Sequence, residues 1–170
     1  MRVTHNFKRG SIHYVGSEIR SVILNKMHVG RQDDICVISG ESIAVEAAII
    51  ATEGTVIAVE YNKDDRATME ENIDHFGLHN IQVIDHVDEE TMKGCPVPSL
   101  VFMVASASME QEIEYLTKLN PQISIVIYTL DFGVAASISG IFEKYGIKDT
   151  EVIQISVARL HSKNSFEQQP

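Results

Sequence analysis

The stretch ICVISGESIAVEAAIIATEGTVIAVEY, Ile35 to Tyr61, decides the fold. It reads as a short apolar strand, a tight turn at Ser39-Gly40, an apolar helix from Glu41, a turn at Glu53-Gly54 and a second apolar strand ending at Glu60. Strand, helix and strand over this length make one βαβ unit, the building block of a parallel sheet. Its first turn carries a glycine, and its second strand closes on a carboxylate twenty residues later. In nucleotide-binding α/β folds that arrangement puts an anion or a closely approaching ligand at the helix N-terminus and a ribose on the acid. The spacing fits, whereas the usual glycine run is reduced to Ser39-Gly40-Glu41-Ser42.

Outward from this unit, helical spacing of Ile19, Val22, Ile23 and Met27 predicts a leading helix from an N-cap at Ser17 to about His28. Asn62 to Asp65 cap a helix that runs through Phe76 and stops at Gly77. Ile81 to Asp85 reads as a third strand, Asp88 to Met92 as a short helix, and Gly94 to Pro98 as a loop. Ser99 to Ala105 is a buried fourth strand, and Met109 to Leu119 is a helix broken by Asn120-Pro121. Ile123 to Leu130 is a fifth strand, followed by a helix with Val134, Ile138, Ile141, Phe142 and Tyr145 in register and Gly146 as its stop. Thr150 to Arg159 alternates apolar and polar residues, as an edge strand does.

The expectation is an α/β, Rossmann-like domain with a mainly parallel sheet of about six strands and helices on both faces. One domain spans residues 1–170, with a leader and helix at 1–30 and a flexible tail at 160–170. Ligands of such sheets bind outside the carboxyl ends of the strands. The candidate site is therefore Ser39 to Ser42, Glu60-Tyr61, Asp85 to Val87 and Ala105 to Ser108.

Composition narrows the class. A chain of 170 residues, 44% hydrophobic, buries one sizeable core. No apolar run is long enough to span a bilayer and no apolar block follows the first basic residues, so a cytoplasmic protein without a membrane partner is expected. Cys36 and Cys95 lack metal-ligand spacing and suit a reducing compartment. The seven histidines show no metal pattern either, and no metal site is assigned. Ser39, Ser42, Ser106 and Ser108 have no readable His–Asp partner, which argues against a hydrolase. A net charge of −10 disfavours nucleic-acid binding. Residues 1–31 nevertheless carry six basic side chains against one acid, a local charge of +5.

The segments EIRSVILNKMHV (18–29), VISGESIAVEAA (37–48), EGTVIAVEYNKDDRATMEENIDHFGLHNIQVID (53–85) and VIQISVAR (152–159) keep the order and spacing of a known family. Together they resemble the decarboxylating precorrin methyltransferases of corrin-ring biosynthesis, over roughly residues 7–170. The resemblance implies a class I methyltransferase fold, S-adenosylmethionine as cofactor, and methyl transfer to carbons of a tetrapyrrole with loss of an acetate carboxyl group. It also implies a homo-oligomer, often a tetramer. Glu60 matches the acid that holds the cofactor's ribose, and the cofactor set is Ser39, Gly40, Glu41, Ser42, Glu60, Tyr61, His86, Val87 and Ala105. Precorrins carry many carboxylates, so Lys8, Arg9, Arg20, Arg159 and Lys163 are candidates for the substrate side, Arg9, Arg20 and Arg159 foremost. No catalytic residue is implied.

Departures from the family pattern fall at the cofactor end. The glycine loop is about two residues short, His86-Val87 stand where a Gly-Asp is usual, and Val104 to Ser108 replace a glycine-rich turn. His13-Tyr14-Val15 stand where the leader usually has Pro-x-Thr. Pro170 matches the proline that opens the family's last strand, so an antiparallel strand is expected to be missing. Two functions follow: an active precorrin methyltransferase, or a protein of that fold that has lost its cofactor and serves as a structural or regulatory partner.

Overall fold

Every residue of β1 (Ile35–Ile38) and β2 (Val56–Val59) is buried, which is why neither strand alternates in sequence. Both faces of these strands are covered. The computed structural model describes residues 15–160. In it β1 and β2 join β3 (Ile81–Ile84), β4 (Leu100–Val104) and β5 (Ser124–Tyr128) in one sheet of order β3-β2-β1-β4-β5, with all four pairings parallel.

Helices α1 (Ser17–Met27), α2 (Glu41–Ile50) and α3 (Lys63–Phe76) cover one face, and α4 (Met109–Leu119) and α5 (Phe132–Lys144) cover the other. The pleat sorts the strands between two cores. Ile35 and Val37 join Ile23, Met27, Ile43, Ala47, Met69 and Phe102, whereas Cys36 and Ile38 join Met103, Ile113, Leu116 and Ile138. Burial pushes the Cys36 thiol far up, so it remains a neutral packing group. No helix among the described residues is long and apolar enough to cross a membrane.

Local signals explain most boundaries. The Asn62 side chain accepts from Asp64 N and Asp65 N, and Gly77 ends α3 in the left-handed region at φ 61°. Asn80 donates to the carbonyls of Ala48 and Ala51 at 3.0 and 2.8 Å, closing the C-terminal end of α2. The N-cap of α1 is Gly16 and not Ser17, whose hydroxyl donates to Glu18 instead. Asp88 to Met92 is a set of turns without a helix, held by Thr91 N donating to Asp88 at 2.8 Å and the Thr91 hydroxyl donating to the His86 carbonyl at 2.7 Å.

The predicted edge strand at Thr150 to Arg159 is absent, and the sheet has five strands among the described residues, not six. This segment has no regular secondary structure, and its ends are tied to α1 by Lys26–Glu151 at 2.9 Å and by Arg159–Glu18. Alternation records a preference for pleated backbone, but a strand also needs a neighbouring edge. Val152 remains 76% exposed. The predictions made for residues 1–14 and 161–170 lie outside the described residues.

At the amino end of the sheet, Asp33 accepts from Gly30 N at 2.6 Å and Asp34 from Thr55 N at 3.0 Å, which anchors the βαβ unit. Gly54 packs so close that a Cβ there would lie 1.9 Å from the Asp33 carbonyl oxygen. Backbone cannot swing aside as a side chain can. Gly54→Ala is therefore expected to cost about 3 kcal/mol, near the upper end for overpacking, read as a lowered urea midpoint at unchanged m-value.

Candidate functional site

The turn from β1 to α2 is only two residues long. Ser39 sits in the left-handed region at φ 58°, where glycine would be unstrained, and Gly40 is the N-cap of α2. A Cβ on Gly40 would lie 2.6 Å from the Phe102 ring and 2.9 Å from Val37 Cγ1. The glycine is thus demanded by a core aromatic ring below the turn. No side chain caps α2, so the first-turn N–H groups of Glu41, Ser42 and Ile43 end the helix toward the carboxyl end of the sheet.

Glu60 ends β2 and is 6% exposed. Burial, together with the nearby charges of Asp65 and Glu41, pushes its carboxyl group from an ordinary 4.5 up to about 8, with Arg66 opposing. Among the described residues no hydrogen bond reaches its carboxyl oxygens. Arg66 Nη1 instead donates to the carbonyls of Glu60 and Tyr61, both at 2.8 Å, and fixes this strand end. Asn72 of α3 donates to Glu41, holding the start of α2 against α3.

On the other face Tyr61 turns toward α4, as strand alternation requires. Its hydroxyl donates to Glu112 Oε1, as does that of Ser108 at 2.5 Å. Burial and the Glu112 bond push the Tyr61 phenol well above its usual range. Ser106 and Ser108 hydroxyls lie 3.1 Å apart, and Ala105 N donates to Tyr128 O at 2.9 Å. At the end of β3, exposed His86 is held between Asp85 at 2.6 Å and Asp88 at 2.7 Å. Asp85, then Asp88, raise its pKa, and Val87 packs against the second core.

The strand ends therefore bring together Ser39, Gly40, Glu41, Ser42, Glu60 and Tyr61 around β1 and β2, with Ala105 beyond β4. His86 and Val87 belong to a braced loop beyond β3. Arg20 is 1% exposed and reaches Glu46 of α2 at 3.2 Å, because Arg20, Ile23 and Met27 share the buried stripe of α1. It packs in the α1 stripe and pairs with α2. Arg159 is exposed and paired with Glu18, and Arg9 lies outside the described residues.

Sequence reasoning missed Arg66, Asn72 and Glu112. Arg66 follows the acid by six residues and Glu112 lies one turn into α4, positions that look like solvated helix surface until the partners are known.

A five-stranded parallel sheet with this order, a tight β1–α2 turn and a buried acid ending β2 define an α/β, Rossmann-like fold. Residues 14–168 match the family described as precorrin methyltransferase domain, and the chain belongs to that family. Solved structures share the fold. A precorrin-6Y C5,15-methyltransferase from Geobacter metallireducens GS-15 is 21% identical, covers 83% of this chain and 77% of its own, and has a TM-score of 0.74. A precorrin 8W decarboxylase from Methanobacterium thermoautotrophicum is 17% identical, with 82% and 78% covered and a TM-score of 0.72. The C-terminal domain of precorrin-6Y C5,15-methyltransferase from Rhodobacter capsulatus is 18% identical, with 92% and 84% covered and a TM-score of 0.69. No curated protein matches the chain significantly.

Two outcomes are expected. Arg20→Ala leaves Glu46 without its cation in a buried setting and should destabilise the fold by about 3 kcal/mol or more, measured by chemical denaturation. Glu60 is protonated in the folded state well above its ordinary value, so its stabilising contribution is complete below about pH 4.5 and is lost as pH rises through about 8. Wild-type protein should therefore lose melting temperature between pH 5 and pH 8 by an amount that Glu60→Gln largely removes. Equal pH slopes for the two proteins would show that Glu60 does not titrate there.

Proposed function

We propose that this protein transfers a methyl group from S-adenosylmethionine to a carbon of a precorrin-type tetrapyrrole, coupled to loss of a carboxyl group. The observation that carries the reading is Glu60: a buried carboxyl group, unpartnered by described residues, at the carboxyl end of β2 in a member of the precorrin methyltransferase domain family. A vicinal diol supplies the two donors that such an acid lacks. The finer assignment draws on the names of similar proteins, one a C5,15-methyltransferase and another a precorrin decarboxylase.

S-adenosylmethionine supplies an activated methyl group, and what the protein must add is alignment and exclusion of water. Glu60 would take the ribose hydroxyls, with its backbone carbonyl fixed by Arg66. The uncapped first turn of α2 would face the ligand's carboxylate. Tyr61 forms a wall on the α4 side. The buried Glu60 carboxyl group suits a neutral diol. The same reading places the protein in the cytoplasm as a homo-oligomer, without nucleic-acid or membrane partners, in keeping with its charge of −10.

A second reading, a cofactor-free structural or regulatory partner, is favoured by one observation: the demand for glycine at position 40 comes from Phe102 and not from ligand space. Isothermal titration with S-adenosylhomocysteine separates the two. The enzyme reading expects micromolar affinity, weakened about ten-fold or more by Glu60→Ala. No detectable heat with wild-type protein at high ligand concentration would contradict it and leave the second reading.

A further inference from the structure

Glu112 lies in the first turn of α4 and is 4% exposed. Tyr61, which follows β2, and Ser108, which precedes α4, both donate to its Oε1. Cys36 of β1 is close enough for the Glu112 charge to act on its thiol. Since β1 lies between β2 and β4, this cluster bridges the carboxyl ends of the strands across β1. Ser108 is the N-cap of α4 yet caps nothing, and its hydroxyl is given to the carboxylate instead. Oε2 of the same group is also buried and has no partner among the described residues. A buried carboxylate oxygen without a donor is costly, and native proteins seldom leave one unfilled.

Tyr61 forms the outer side of the cluster and is 43% exposed. Glu60 and Tyr61 are neighbours at a strand end and leave it on opposite faces. Glu60 faces the α2 and α3 layer, and Tyr61 faces α4 with Glu112 behind it. A ligand lying across the end of β1 with its diol on Glu60 therefore presents its far end between the first turns of α2 and α4. In a nucleoside joined through sulfur to an amino acid, that end carries a carboxylate and an ammonium. The uncapped α2 N-terminus suits the carboxylate, and a buried, unfilled carboxylate oxygen suits the ammonium.

We propose that Glu112 Oε2 receives the α-ammonium of the ligand's amino-acid end, and that Tyr61 and Ser108 hold the carboxylate in position for it. The inference rests on the cofactor reading above and assigns a residue to that same site. The test is isothermal titration of the full chain with S-adenosylhomocysteine and with methylthioadenosine, a nucleoside thioether that lacks the amino-acid end. Glu112→Gln is expected to weaken S-adenosylhomocysteine about ten-fold or more while leaving methylthioadenosine unchanged. Equal losses on both ligands, or none on either, overturn the assignment but leave the cofactor reading intact. A wild-type protein that binds neither ligand overturns both.

A thermal melt of Glu112→Gln checks that the variant is folded. Should it not fold, Tyr61→Phe decides. It keeps the ring, removes one donor from Oε1 and is expected to shift the affinity ratio of the two ligands, and an unchanged ratio overturns the assignment.

Discussion

The Phe102 ring occupies the place where a side chain on residue 40 would project, and this contact governs how the carboxyl end of the sheet is built. Only glycine lets β4 pack so close beneath the β1–α2 turn. The turn is then short enough for α2 to begin two residues after β1, with its first-turn N–H groups at the strand ends. Asn72 and Glu41 hold that helix start against α3, and Arg66 fixes the end of β2 beside it. The geometry of this strand end thus follows from core packing, with no glycine-rich loop to supply it.

Electrostatics at this end set what can bind. Glu41, Glu60 and Asp65 gather on the α2 and α3 side, and Glu112 lies buried on the α4 side. On the proposed reading a neutral diol would gain two charge-assisted bonds at Glu60, and an ammonium would gain a buried counter-ion at Glu112. Burial, Asp65 and Glu41 together raise the Glu60 carboxyl group, which marks it as a candidate functional residue. The basic residues are engaged elsewhere: Arg20 ties α1 to α2, and Arg159 ties the C-terminal segment to α1.

Most of the architecture was legible in the chain. The apolar runs at Ile35, Val56 and Leu100 and the stops at Gly77 and Gly146 place strands and helices to within a residue or two, because burial on both faces and left-handed caps leave plain marks. Glu60 was legible as the acid ending the second strand. The meaning of Gly40 was not, since its neighbour Phe102 is more than sixty residues away in sequence. The burial of Arg20 was not legible either, because an arginine on a buried stripe looks like surface until Glu46 is seen beside it. The sixth strand failed for a related reason: Val152 to Ala158 has the right pattern, but pattern alone does not provide an edge to pair with. Glu112 gave no signal, as its partner Tyr61 lies at the end of β2, 51 residues earlier in the chain.

The central claim is that Glu60 is the empty acceptor of a cofactor ribose, and proton release on binding tests it most directly. Titration of S-adenosylhomocysteine at pH 7 in buffers of different ionisation enthalpy reports the protons exchanged. A group with a pKa of about 8 is mostly protonated there, and accepting two hydroxyl bonds favours its ionised form, so about one proton should leave per ligand bound, and none in Glu60→Gln. Binding without proton release, or with the same release in Glu60→Gln, would contradict the account.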